Sequence, residues 1–369
     1  MNEAYSPYKA LRHLDVIHAV RACAPARPVH VQVILSDLCN QACSFCAYRD
    51  PDYTSSQLFR VLEPGTKGLR KAGLEEFNFN PNRMIPYEKV IEILDDCREM
   101  GTEAIQFTGG GEPTVHPRFE EIIEATIARG LKFSLVTNGV NVAKKGYAKL
   151  LGAASWVRVS LDAGKPDTYA RVRNVPESQF DDALSSIAQL RDAGCETVGV
   201  GFVVTPDNWS EVAIATRAAF VMGAHNIRIS AQFSTTGQAL FAGFLDECAA
   251  LCREAEEQSD DYFVVFNRFE QTVANLAAPD YDRCGYQQFT TYIGADLNVY
   301  RCCVLAYNEA GIVGSLKERR FRDLWMSQAR ADAMGSFEAR GCERCQFNGI
   351  NRVLDYAIRP DEPMHKEFV

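Results

Sequence analysis

Ser36-Asp-Leu-Cys-Asn-Gln-Ala-Cys-Ser-Phe-Cys-Ala-Tyr48 places Cys39, Cys43 and Cys46 in a Cys-x₃-Cys-x₂-Cys array, directly after the apolar run 29–35. Thiolates are soft ligands that suit zinc and iron–sulfur clusters. A cubane cluster normally takes four cysteines, so a loop that supplies three leaves one iron free to bind something other than protein. The competing assignment is a zinc loop with a distant fourth ligand. Structural zinc is more often built from two separated cysteine pairs, which three cysteines within eight residues fit poorly.

The chain around this loop has 369 residues, 47% hydrophobic and 24% charged, as in a soluble globular protein of one large or two modest domains. Net charge is −9 and the pI near 5.3, with no block of five or more like charges. A nucleic-acid binder would show a basic stripe, so that class of partner is disfavoured. Glu3, Lys9, Arg12, His13, Asp15 and Arg21 interrupt the first thirty residues and leave no apolar h-region for a signal peptide. No run approaches the roughly eighteen apolar residues of a membrane span. Thirteen cysteines, an odd count, point to metal rather than disulfides. The expected compartment is the cytosol, at low oxygen.

Residues 1–28 read as an N-terminal extension with a helix over 8–22. Short apolar strands then alternate with amphipathic helices. The strands are expected at 30–35, 104–108, 133–137, 157–161, 198–204 and 227–233, with helices at 87–100, 118–128, 180–193 and 211–222. This alternation predicts βαβ units and a parallel sheet, either an open doubly wound sheet or a partial barrel. The long crossover between Cys46 and Pro86 reads as turns and mixed composition. Loops of that length are uncommon unless functional or disordered, which makes it either a lid over a cleft or a peripheral decoration.

The cysteine array, with aromatic Phe45 before its last thiol, resembles the signature of the radical S-adenosylmethionine (radical SAM) enzymes. The resemblance implies a partial (β/α)₆ TIM barrel, with the site at the carboxyl ends of the strands as in full barrels. It also implies a 4Fe–4S cluster on Cys39, Cys43 and Cys46 whose free iron is chelated by S-adenosyl-L-methionine. One electron then cleaves the sulfonium to a 5′-deoxyadenosyl radical. Thr108-Gly-Gly-Gly-Glu-Pro-Thr114 resembles the family's glycine–glycine–glutamate motif, which gives Gly110, Gly111 and Glu112 contacts to the methionine amino group. Thr137-Asn-Gly139 and Ser160-Leu-Asp162 resemble strand ends that contact ribose and carboxylate, through Asn138, Ser160 and Asp162. Arg171 and Arg173 resemble the arginine that follows the fourth strand, Arg173 being the candidate contact; either also fits a solvated helix face. Asn208 is read as a turn signal and His116 as a loop residue.

In the sixth strand Arg228, Ser230 and Gln232 share one parity and apolar residues the other. Side chains alternate faces along a strand, so the polar series is expected to face the cavity, Ser230 and Gln232 toward cofactor. Arg228, Gln232 and Arg158 are the candidates for catalysis, and Arg228 is expected to pair with Asp162 or Glu112.

Beyond residue 235 the barrel pattern is expected to stop, with a helical linker over 236–283 whose helix covers 239–257. Cys248 and Cys252 on it read as small apolar core residues. A hairpin ending at Cys302 and the pair Cys342-Glu-Arg-Cys345 then bring late thiols together. With Cys284 they supply four ligands for zinc or for a closed cluster. Residues 284–350 resemble the twitch domain, a truncated SPASM module, also through Gly311-Ile-Val-Gly314 and Phe321-Arg-Asp-Leu-Trp325; 351–369 form a tail. The resemblance implies a second, auxiliary 4Fe–4S cluster on Cys284, Cys302, Cys342 and Cys345, with Cys303 spare.

The implied function is a radical SAM enzyme that abstracts hydrogen from a small-molecule substrate of the sugar, aminocyclitol or nucleoside kind. An external one-electron reductant of flavodoxin or ferredoxin type would drive it. The alternatives are a peptide maturase and, in another class, a non-catalytic electron carrier or zinc-binding scaffold.

Overall fold

A computed structural model describes residues 5–49, 83–234, 236–274 and 277–359. Its strands are β1 (His30–Ile34), β2 (Ala104–Thr108), β3 (Lys132–Thr137), β4 (Trp156–Ser160), β5 (Val198–Val204), β6 (Asn226–Ala231), β7 (Val264–Asn267), β8 (Thr290–Ile293), β9 (Asn298–Tyr300) and β10 (Ile312–Ser315). They form one sheet in the order β10-β9-β8-β1-β2-β3-β4-β5-β6-β7. Strands β1 to β7 run parallel, as βαβ connections require.

The two faces of this sheet differ in kind. Val31, Val33, Ile105, Phe107, Phe133, Leu135, Val157, Val159, Val198, Val200, Phe202, Ile227 and Ile229 form the core beneath the helices. The opposite parity carries Gln32, Gln106, Ser134, Arg158, Gly199, Gly201, Arg228 and Ser230, which strand pairing brings into adjoining rows. An apolar outer face and a polar inner face are what a barrel with a site inside it needs.

The six expected barrel strands are present, with four corrections around them. A seventh parallel strand, β7, lies in the stretch read as a helical linker and pairs with β6. At four residues it is too short to give a periodic signal. At the other edge β8 joins β1 in parallel, so the hairpin expected in the auxiliary module, β8 and β9, is continuous with the barrel sheet. The helix expected over 239–257 is instead a 3₁₀ turn, Gly237–Phe241, and a helix, Leu245–Glu256. Gly243 separates them at φ +89, a conformation that glycine adopts without steric cost. The N-terminal helix is likewise broken, into Lys9–Arg12 and Leu14–Arg21, where His13 leaves helical geometry (φ −102, ψ 67). Cys248 and Cys252 are buried in the main core. Most of the long crossover falls on 50–82, so the expected lid lies outside the described residues.

Candidate active site

The cysteine loop leaves β1 and is held from both sides. Gly111 N–H donates to Ser36 O and Glu112 N–H to Leu38 O, both at 2.9 Å. A Cβ on Gly111 would stand 2.0 Å from Leu38 O, and one on Gly110 2.6 Å from Asp37 Oδ1. The glycines are therefore required for the two loops to touch. On the other side Ala42 N–H donates to Arg173 O and Ser44 N–H to Val172 O. Those are last-turn carbonyls of the helix Pro166–Arg173, which have no partner within a helix.

Glu112 is buried, and its carboxylate is largely committed inside the protein. Oε1 accepts from the Thr114 amide and from the hydroxyls of Thr114 and Thr137, and Oε2 from Asn138 N–H at 2.8 Å. Oε2 keeps a further lone pair. Glu112 is near enough to Cys39 to help raise that thiol's pKa, although burial raises it most. Asn138 donates to Asn40 Oδ1 at 2.6 Å, tying the end of β3 to the residue after Cys39. His116 is a buried structural residue, its Nε2 3.0 Å from Ile85 O and its Nδ1 accepting from Arg118 N–H.

Of the two arginines after β4, the structure turns Arg173 inward. It pairs with Asp162, donates to Gln41 Oε1 and to Ser160 O, and brings Nη1 within 3.9 Å of Cys43 Sγ. Arg171 is exposed and donates to Asp207 O at 3.1 Å. Asp162 takes a left-handed φ of 54 and also accepts from Val203 N–H at 2.6 Å. Gln41 and Asn208, neither anticipated in these roles, complete the network. Gln41 donates to Tyr169 Oη and Gln179 Oε1. Asn208 donates to Asp162 O and Val203 O, and accepts from Thr205 N–H. An amide between two strand ends supplies donor and acceptor at once, a role that sequence spacing does not advertise.

A cavity of about 570 Å³ opens here, within the usual range for small-molecule pockets. Cys43, Phe45, Cys46, Ser160, Asp162 and Arg173 line it from the loop, the end of β4 and the helix after it, and Arg228, Ser230 and Gln232 from β6 and its continuation. The polar parity of the sixth strand thus faces inward. The carboxylate partner expected for Arg228 is not there: neither Asp162 nor Glu112 pairs with it, because Asp162 is held by Arg173 and Glu112 by Thr114, Thr137 and Asn138.

Tyr286, Gln346 and Phe347 close the same cavity from the C-terminal module, Tyr286 stacked on Phe347 with centroids 3.8 Å apart. Behind them Cys284, Cys302, Cys342 and Cys345 gather closely enough that each, ionised, would repel the other three. Burial and that proximity push the Cys284 thiol up to about 12. Cys303 adjoins the same group, its charge acting on Cys302 and that of Cys345 on it, and it is also bonded to Gln346 and Tyr292. Among the described residues no three His, Cys, Asp or Glu side chains are close enough to share a single metal ion. A four-iron cube is broader than one ion and reaches thiolates set further apart, and its cationic irons would reverse the repulsion between them. Both sets offer the soft thiolate donors that such a group takes.

The modules are also joined at a buried node. Tyr307 Oη donates to Asp37 and accepts from Ala295 N–H, while Arg83 Nε donates to Asp37 at 2.8 Å. Asp37 lies at the start of the cysteine loop, so this node ties the loop to the C-terminal module.

Comparison with known proteins agrees with this architecture. Residues 33–218 match the Radical SAM superfamily and residues 284–346 the iron–sulfur cluster-binding SPASM domain. The chain is 27% identical over 179 residues to a GTP 3′,8-cyclase from Streptomyces coelicolor, covering 48% of this chain and 45% of that one. It is 32% identical over 130 residues to the mycofactocin maturase MftC from Mycolicibacterium smegmatis, covering 34% and 32%. The chain therefore spans less than half the length of these relatives. In fold it is similar to Streptococcus suis SuiB bound to the precursor peptide SuiA, with TM-score 0.60 and 12% identity over 90% of this chain and 73% of SuiB. No described helix is long and apolar enough to cross a membrane. The chain belongs to the radical SAM superfamily and is an enzyme of that superfamily with a C-terminal SPASM-type iron–sulfur domain.

Proposed function

We propose that the chain cleaves S-adenosylmethionine reductively in the cavity at Cys43, Phe45 and Cys46, and abstracts hydrogen from a small polar substrate held between β6 and the C-terminal module. The observation that carries this reading is the shared lining. Residues of the three-thiol loop and residues packed against the four-thiol group border one cavity.

Cys39, Cys43 and Cys46 would hold a 4Fe–4S cluster with an open iron, and Cys284, Cys302, Cys342 and Cys345 a closed one. Bound there, the first cluster and S-adenosylmethionine supply the electron and the 5′-deoxyadenosyl radical. The protein's part is positional. Phe45 offers an apolar wall beside the thiols. Gly110 and Gly111 let the glycine-rich loop approach, and Glu112 keeps one carboxylate lone pair beside Cys39. Arg173 brings positive charge to Cys43, where the sulfurs carry negative charge. Asn138, Ser160 and Asp162 fix the strand ends around the cofactor, and Ser230 and Gln232 line the far wall.

A sugar, aminocyclitol or nucleoside-like substrate suits the polar inner face, and the cyclase likeness supports a small molecule. The 32% identity to MftC favours peptide modification as the second reading. The non-catalytic alternatives fall with membership of an enzyme superfamily. The test is anaerobic reconstitution followed by S-adenosylmethionine and a one-electron reductant of flavodoxin type. 5′-Deoxyadenosine should form, and absence of product from fully iron-loaded protein contradicts the reading. Deuterium transferred into 5′-deoxyadenosine from labelled small molecules, against labelled peptides, separates the two substrate classes.

A further inference from the structure

The inner face of β4 to β7 gathers positive charge without a partner. Arg158 on β4 pairs in register with Gly199, and Arg228 on β6 with Gly201. The intervening strand is bare on this face. A Cβ on Gly201 would lie 3.5 Å from Arg158 Cδ, so Arg158 runs across β5 toward Arg228. Arg268, just after β7, completes the set. The Tyr5 ring lies beside two of them, its centroid 5.9 Å from Arg228 Cζ and 5.0 Å from Arg268 Cζ. Arg228, Arg268 and Tyr5 all line the cavity.

Among the described residues no carboxylate comes within ion-pair distance of Arg158, Arg228 or Arg268, and Asp162, whose charge is felt at Arg228 and Arg158, is paired with Arg173. Arg228 Nε is buried with no hydrogen-bond partner. The charge of Arg158, followed by burial, pulls the pKa of Arg228 down. A buried cation without a counter-charge is costly, and two guanidiniums on the cavity wall with a third beside them suit an anion of more than one charge. The guanidinium fork matches phosphate oxygens in pairs. Arg228 lies three residues before the carboxyl end of β6, about 10 Å along the strand.

We propose that Arg228 and Arg268, with Arg158 adding positive charge beside them, form a subsite for a phosphate group of the substrate, which makes the substrate a phosphorylated small molecule. This rests on the cavity's being the substrate site. It is tested with inorganic pyrophosphate as the probe, binding measured by calorimetry on the reconstituted full chain. Pyrophosphate should bind saturably and more weakly at higher salt. Arg228→Gln and Arg268→Gln should each weaken it by about tenfold or more, as expected for charged hydrogen bonds, and Arg228→Lys should restore part of the loss. Pyrophosphate should raise the melting temperature of the wild type but not of Arg228→Gln. The unliganded variant should melt no lower than wild type, because an unpaired buried cation has been removed.

The proposal is overturned by absence of pyrophosphate binding, by binding that both substitutions leave unchanged, or by displacement by S-adenosylmethionine. Binding of succinate in place of pyrophosphate would assign a carboxylate instead and overturn it as well. Formation of 5′-deoxyadenosine by the wild type decides the cofactor reading separately, so the two failures are distinguishable.

Discussion

The two groups of thiols are built on opposite plans. Cys39, Cys43 and Cys46 come from one loop, two of the three face the cavity, and Arg173 stands at 3.9 Å from one of them. Cys284, Cys302, Cys342 and Cys345 come from three separated segments, and none lines that cavity. The pKa of Cys302 is raised by burial and then by its neighbouring thiols, with no cation among the causes. At Cys43 the charge of Arg173 opposes the rise due to burial. One group borders the cavity and the other is enclosed behind it. Arginines do act on the other three, Arg301 on Cys284 and Cys342 and Arg352 on Cys345, so the two groups differ in their access to the cavity rather than in neighbouring charge.

The largest effect should come from removing the open group. With Cys39, Cys43 and Cys46 all changed to alanine, reconstituted protein should fall from about eight iron per chain to about four and lose S-adenosylmethionine cleavage altogether. Retained cleavage would mean that the wrong group has been called open. The closed group is tested by neighbours in sequence. Cys302→Ala should leave about four iron, whereas Cys303→Ala, whose thiol is bonded to Gln346 and Tyr292, should keep both clusters. The reverse outcome would shift the ligand register by one.

The charge beside the open group can be tested by comparing two arginines. Arg173→Met strands Asp162 in the interior and should cost about 3–5 kcal/mol, seen in thermal unfolding of reconstituted protein. Exposed Arg171→Met should change stability by less than about 0.5 kcal/mol. Equal effects would contradict the inward placement of Arg173. The smallest effect is expected at the cavity wall. Gln232→Ala should weaken S-adenosylmethionine affinity or substrate turnover about two- to tenfold, as for one lost hydrogen bond, with both clusters intact. An unchanged variant would leave Gln232 as lining only.

Legibility followed the range of each interaction. The three-thiol loop lies in eight consecutive residues, and the strand and helix periods are local, so the barrel was readable. The parity of Arg228, Ser230 and Gln232 was readable for the same reason. The surroundings of Arg228 were not: like-charged Arg158 reaches toward it across Gly201 from two strands away, and only the folded register reveals that. Gln41, Asn208 and the Asp37–Tyr307 contact act between distant segments and leave no local pattern. β7 fell below the length at which periodicity registers. Gly243 is the instructive miss, since a glycine inside an expected helix is a readable break signal.

The central claim, one open and one closed cluster, is most directly tested by electron paramagnetic resonance of the reduced, reconstituted protein titrated with S-adenosylmethionine. The account predicts two overlapping cluster signals, of which one shifts on addition. That shift should vanish in the Cys39, Cys43 and Cys46 triple variant, while the unshifted signal persists. A shift that survives the triple substitution, or one that disappears with Cys302→Ala alone, would contradict it.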